Sequence, residues 1–277
     1  MNAFNGKRTS ISDLAYYLDG VNAALKDENA FHAFKQLPGI ETIEGVPPAQ
    51  GQQYRAIAMT QTPELIGHWE KFRENDLCGS PLTAEYPEGR MSPTTWRYIK
   101  VLSDLQVLFG DLSHWDVAEI GAGYGGQYKI IQDVYTLGSY TVYDLPPVMD
   151  LILKYLERIG CPSLHQMRRA DFHELPKEPS PSYDLVISNW ALSECTREVQ
   201  DVYIEHVLRR SRCGYITYNQ ISHHCGIDSY RKNEFLNALG FPVEVMAEGL
   251  DLEIPEDMEQ FILYWHTQPF LDGMNPQ

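Results

Sequence analysis

Residues 115–132 read WDVAEIGAGYGGQYKIIQ, and the fold turns on this stretch. It opens on a short apolar run, Val117, Ala118 and Ile120, interrupted by one acid, Glu119. Gly121, Gly123, Gly125 and Gly126 follow in close order, and a helical pattern starts near Gln127. Strand, glycine turn, helix is the grammar of a nucleotide-binding βα unit, in which missing side chains let a ligand reach the backbone. The spacing fits GxGxxG, so the glycines by themselves admit either a dinucleotide or S-adenosylmethionine. Glu119 tips the choice. A carboxylate two residues before the first glycine repels a pyrophosphate and suits the cationic amino group of a methionine moiety.

From this stretch onward strands and helices alternate, the sign of a parallel sheet covered on both faces. The pattern predicts strands at 116–120, 139–145, 164–169, 183–189, 213–219, 242–248 and 260–266. Helices are expected near 126–135, 147–159, 197–210 and 230–239. Five βα-type units and two late strands make a Rossmann-like, mostly parallel seven-stranded sheet with helices on both faces. Upstream, residues 1–110 read as a mainly helical cap or lid without an evident sheet, ahead of a ligand-binding domain at 111–277. Helical spacing covers 1–36 (Leu14, Tyr17, Leu18, Val21 and Leu25 on one face), 63–75 and 94–109. Prolines and glycines mark 37–51 as a loop or connector and 75–93 as irregular, and residues 75–110 are expected to close over the acceptor side of a pocket.

The 277 residues carry 38 acidic against 22 basic side chains, a formal charge of −16. Such a balance argues against nucleic acid or an anionic membrane surface as the main partner. Five cysteines without a CxxC pair read as free thiols of a reducing compartment. The opening MNAFNGKRTS has no signal-like apolar core, and no stretch reaches membrane-spanning length, so a cytoplasmic protein without membrane insertion is expected. A homo-oligomer stays open.

Asp144 lies 21 residues after Gly123, at the expected end of the second strand, where two acceptor oxygens match a ribose diol. The bland alternative is a helix cap before Pro146-Pro147. Asp171, with Phe172 beside it, is placed to accept from an adenine amino group while the ring is covered. Asn189 and Trp190 stand just beyond the fourth strand, at the carboxyl edge where α/β sites form. Glu194 reads equally as a base or as a helix cap. His223 and His224 follow the fifth strand, and a histidine near its ordinary pKa suits removal of a hydroxyl proton. His224, deeper in the loop, is favoured as the base. Gln220 is placed to bind a substrate hydroxyl or its own loop backbone. No compact acidic cluster requires a metal.

Together these residues resemble a class I S-adenosylmethionine-dependent methyltransferase, and more narrowly the sugar O-methyltransferase family of bacterial polysaccharide gene clusters. The narrower likeness is carried by EIGAGYGGQ (119–127), YDLP (143–146), SNWALSE (188–194) and the YNQ turn (218–220), with Gly79, Pro81, Ser92 and Arg97-Tyr98 upstream. It covers about residues 75–225. The resemblance implies S-adenosyl-L-methionine as cofactor, held by Glu119, Gly121, Ala122, Gly123, Asp144 and Leu145, with Ser92, Arg97, Trp190 and Gln220 toward the acceptor. It implies methyl transfer to a hydroxyl of a nucleotide-linked sugar or glycan residue. A nicotinamide-dependent oxidoreductase and a non-catalytic binding or scaffold protein of the same fold are the competing readings.

Overall fold

The apolar run before the glycine turn is a strand, β1 (Asp116–Ile120), with every residue after Asp116 buried. The computed structural model describes residues 9–13, 15–175, 181–251 and 258–266. β2 (Ser139–Tyr143), β3 (Met167–Ala170), β4 (Tyr183–Asn189), β5 (Ser211–Tyr218), β6 (Glu244–Ala247) and β7 (Phe261–His266) join β1 in one seven-stranded sheet. Its order is β3-β2-β1-β4-β5-β7-β6. β3 to β5 run parallel to β1 and β2, whereas β7 pairs antiparallel with both β5 and β6. This is the Rossmann-like sheet read from the alternation, with its late strand pair. The order reverses between β1 and β4, and ligands of open α/β sheets bind at the carboxyl ends of strands at such a switch point.

Both faces of the sheet are covered, as expected where strands are apolar on both sides. Val117, Tyr140, Leu185 and Tyr215 enter one apolar cluster, and Ala118, Ile120, Val186 and Ile216 enter the other. The first cluster also takes in Tyr17, Val21, Phe31, Phe34, Tyr54 and Phe72, so the N-terminal helices share the core of the sheet. They are α1 (Ala15–Lys26), α2 (Glu28–His32), α3 (Ile40–Glu44), α4 (Pro48–Gln61), α5 (Trp69–Arg73) and α6 (Pro93–Phe109). Behind the sheet connections lie α7 (Gly126–Gln132), α8 (Pro146–Arg158), α9 (Arg197–His206) and α10 (Lys232–Leu239).

α6 orients the site. Ser92 caps it by accepting from the Thr94 amide at 3.2 Å, with Pro93 in the first turn. Trp96, Ile99, Leu102 and Leu105 are buried, each contributing roughly 1.5–3 kcal/mol of apolar burial. On another face Lys100 and Asp104 form a buried ion pair at 2.7 Å, and the Tyr215 hydroxyl donates to Asp104 at 2.6 Å. That lock fixes the helix on β5 and, one turn back, fixes Arg97.

Two expectations upstream need correction. The 37–51 stretch is not all connector: it holds α3 and the start of α4, because a proline at the first helical position is compatible with a helix. The 75–93 stretch contains a small hairpin, Ala84–Tyr86 against Gly89–Met91. Leu14, assigned to the first helical face, lies outside the described residues. Among the described residues no helix is long and apolar enough to cross a membrane, no group of three or more His, Cys, Asp or Glu is disposed to hold a metal, and no two cysteines form a disulfide.

Candidate functional site

The glycine turn leaves β1 with positive φ at Gly121 (73°) and Gly123 (55°), which L side chains rarely adopt. Space forbids side chains there as well. A Cβ on Gly121 would stand 2.0 Å from the Ala191 Cβ, and one on Gly123 would stand 2.1 Å from Oε1 of Glu44. Ser188 ties the ends of β1 and β4 together, its hydroxyl donating to the Ile120 carbonyl at 2.9 Å and accepting from the Leu192 amide at 3.1 Å.

A narrow cavity of about 70 Å³ opens on this turn. Its charged lining is Glu44, Glu119, Asp144 and Glu194 against the single cation Arg97. Asn189, Trp190, Ala191, Ser12, Tyr17 and Tyr98 complete the walls with the backbone of Gly121, Ala122 and Gly123. Burial pushes Glu119 up to about 8, with Asp144 and Glu44 adding like charge and the Tyr140 hydroxyl, donating at 2.7 Å, opposing. Burial likewise pushes Asp144 up to about 7, although it accepts from the amides of Leu145 (2.7 Å) and Ala122 (2.9 Å). Glu194 is also held at about 7 by burial, against the hydrogen bond it accepts from Asn219 at 3.0 Å. Burial raises Glu44 too, with Arg97 opposing at 3.6 Å. Four carboxylates facing one guanidinium make a site short of positive charge.

A second cavity, about 550 Å³, shares Ser12, Gly121, Asp144 and Ala191 with the first. It is lined by Leu145, Asp171, Phe172, Tyr203 and Cys195 among others. Asp144 thus stands at the junction, and its helix-cap reading is not what the structure displays: α8 is preceded by Leu145 with no side-chain cap. Asp171 does cap a short turn, accepting from the His173 amide at 2.8 Å, and Phe172 packs on Tyr203 with ring centres 5.0 Å apart. Thr9, Ser10, Ser12 and Asp13 form one wall of this cavity. They are pinned by the Thr9 carbonyl, which accepts from the Thr196 amide at 2.8 Å, and by a bridge between Ser10 and Cys195.

Trp190 holds a left-handed backbone (φ 65°), rare for a bulky residue and typical of positions where surrounding structure imposes strain. Its ring lies under Arg97, with the guanidinium carbon 4.8 Å from the ring centre. Both Trp190 Nε1 and Arg97 Nε are buried without a hydrogen-bond partner among the described residues.

The residues expected at the site divide accordingly. Glu119, Gly121, Ala122, Gly123, Asp144, Asn189, Trp190, Glu194 and Arg97 converge on the narrow cavity, while Leu145, Asp171 and Phe172 line the larger one. His223, Gln220 and His224 line neither. His224 is exposed and His223 half-buried on a short turn, Ile221–Cys225, and burial holds His223 below the usual imidazole range. Ser92 lines a third cavity, of about 270 Å³, walled by Val46, Pro47, Pro48, Pro81, Leu82 and Pro93. Glu44 has no place in the sequence reading, Tyr17 enters it only as part of a helical face and Asn219 only within the YNQ turn. The acid of Glu44, seven residues before a helical Gly-Gln-Gln-Tyr, belongs to no motif.

No protein-family model matches the chain, and no curated protein sequence matches it. Solved structures of similar shape include the PH0226 protein from Pyrococcus horikoshii OT3, at 9% identity and TM-score 0.47, over 62% of this chain and 90% of that one. An S-adenosylmethionine-dependent methyltransferase from Clostridium acetobutylicum is similar at 8% identity and TM-score 0.46, over 62% of this chain and 89% of that one. An O-methyltransferase family protein from Burkholderia thailandensis is similar at 12% identity and TM-score 0.45, over 76% and 71%. At these values the likeness carries no functional argument, and the fold rests on the strand order itself.

Proposed function

We propose that the chain is an S-adenosylmethionine-dependent O-methyltransferase acting on a sugar hydroxyl. One observation carries the cofactor reading: a bare glycine turn opens on a cavity with four carboxylates and one guanidinium, joined through Asp144 to a larger cavity with Asp171 and Phe172. A ligand bearing an ammonium and a sulfonium favours ionisation of these buried carboxyls and is attracted by them, whereas a dianionic pyrophosphate finds one guanidinium and no gain from the four acids. That argues against a nicotinamide dinucleotide. The residues fit the cofactor on three counts: the turn has no room for side chains, the lining is rich in carboxyl groups, and Arg97 keeps a buried N–H unpaired among the described residues. In this reading Asp144 holds the ribose hydroxyls, Asp171 and Phe172 the adenine, and Glu119 the amino-acid end.

The bound cofactor supplies a methyl group already activated on sulfur. The protein has to align an acceptor oxygen and remove its proton. Glu194 is the base in this reading. It faces the cavity beside Asn189 and Trp190, Asn219 fixes one of its oxygens, and burial brings its proton affinity near neutrality. Glu194 would take the hydroxyl proton of the acceptor, and the cofactor would supply the methyl from its sulfonium, leaving a neutral thioether. The sugar acceptor rests on the resemblance of the SNWALSE and YNQ segments and on the aromatic and polar walls of the cavity.

Two experiments test this. Calorimetry should detect S-adenosylhomocysteine and not NAD; NAD binding alone would overturn the cofactor reading. A radiolabelled methyl donor offered with sugar nucleotides and extracted polysaccharide should then label an acceptor. Labelling confined to non-sugar acceptors would reject the sugar.

A further inference from the structure

Glu44 stands on the face of the glycine turn that a ligand must approach. A Cβ on Gly123 would meet all three terminal atoms of its carboxyl group, at 2.1, 2.6 and 2.7 Å. The carboxylate is held there only loosely, by Arg97 at 3.6 Å and the Tyr98 hydroxyl at 3.4 Å. Its backbone is held firmly: the Thr94 hydroxyl donates to the Glu44 carbonyl at 3.0 Å and accepts from the Val46 amide at 3.2 Å. The side chain therefore has freedom that its Cα lacks. It also has somewhere to go, since Glu44 belongs to the linings of both the narrow cavity and the proline-walled one of about 270 Å³.

Arg97 is equally incomplete. It is 6% exposed, its Nε has no hydrogen-bond partner among the described residues, and its one ion-pair partner is Glu44. A buried guanidinium has five donors in a fixed fork and favours a bidentate carboxylate. Arg97 instead has one ion pair to Glu44 at 3.6 Å and the ring faces of Tyr98 and Trp190, none of them a bidentate partner.

We propose that Glu44 and Arg97 form an exchangeable ion pair that recognises the amino-acid end of the cofactor. On binding, the pair opens: Glu44 turns to the ligand ammonium, alongside Glu119, and Arg97 turns to the ligand α-carboxylate. One internal ion pair is replaced by two across the interface, so charge stays balanced in both states. The pair acts as a selectivity device, because a ligand without an amino-acid end cannot open it. This inference rests on the cofactor reading above and extends it to residues outside the glycine turn.

Two ligands separate the possibilities. S-adenosylhomocysteine carries the zwitterionic end, and 5′-methylthioadenosine has the same adenosine and sulfur without it. Affinities of both are measured by calorimetry for the unaltered chain, Glu44→Gln and Arg97→Gln. Each substitution is expected to weaken S-adenosylhomocysteine by roughly ten- to a hundredfold, the range for a hydrogen bond to a charged group. Binding of 5′-methylthioadenosine should stay within about twofold, which also reports that the variant is folded. If a variant does not melt cooperatively, Glu44→Asp, which keeps the charge one methylene short, is carried through the same comparison with the same expectation. Unchanged S-adenosylhomocysteine affinity, or equal losses for both ligands, overturns the proposal. Failure of the unaltered chain to bind either ligand overturns the cofactor reading instead.

Discussion

Replacing Glu119 by Gln should flatten the dependence of stability on pH in the ligand-free protein. Glu119 is 2% exposed, and burial raises its pKa from the ordinary 4.5 to about 8. The folded state thus holds this proton more tightly than the unfolded state does. The stability it contributes is fully present below about pH 4.5 and is lost as the pH rises through 8. At about 1.4 kcal/mol per tenfold change in proton affinity, the whole span is on the order of 5 kcal/mol. For a chain of this length that slope corresponds to roughly 2–4 °C of Tm per pH unit. Gln keeps the shape and can still accept from Tyr140, but it has nothing to titrate. Thermal melts of both proteins between pH 5 and 8.5, each subtracted from its own value at pH 5, isolate the single proton. Glu194, raised to about 7, titrates in both, and the like-charge coupling of Asp144 to Glu119 is removed by repeating the comparison in an Asp144→Asn background. Parallel profiles would refute the argument, since Glu119 would then be ionised in the folded state throughout.

Asp144→Ala should weaken S-adenosylhomocysteine by about 1.5–3 kcal/mol in calorimetry, the scale of hydrogen bonds to a charged group. Glu194→Gln should lower turnover roughly 10²–10⁴-fold, with unchanged cofactor affinity and loss of the pH–rate limb near 7, whereas His223→Ala and His224→Ala should leave turnover near normal. Gly121→Ala should unfold the turn or abolish ligand binding in a thermal-shift assay, because its Cβ falls 2.0 Å from that of Ala191 at a φ of 73°.

The sheet was legible because its signals are local. Alternating apolar runs, a glycine turn and Asp144 at a strand end lie within 30 residues of one another, and each follows from backbone geometry. The short hairpin at 84–91 escaped, since three-residue strands show no period. α4 escaped because Pro47-Pro48 and Gly51 read as breakers, although Pro48 merely starts the helix. The site was half legible. Glu119 and Asp144 sit where their strands end, but Glu44 reaches the glycine turn from a helix 79 residues upstream of Gly123, a meeting that only tertiary packing creates. The placing of Glu194 depends in the same way on Asn219, 25 residues later. His223 and His224 had suitable chemistry and the right strand end. Their loop instead turns on Ser222, whose carbonyl accepts from the Ile227 amide at 3.0 Å and whose hydroxyl bonds Ser229 at 2.5 Å, and neither residue lines the narrow cavity or the larger one beside it.

β7 comes last among the seven strands in the chain yet lies inside the sheet, between β5 and β6. Its alternate residues seal both faces, Ile262 in one apolar cluster and Phe261, Leu263 and Trp265 in the other. During synthesis the helices and the first five strands emerge well before it, with the β5 edge unpaired and β6 without a neighbour. A nascent chain stopped short of Phe261 exposes that edge, the kind of template on which chains aggregate. Completion of the sheet is therefore tied to the arrival of this strand.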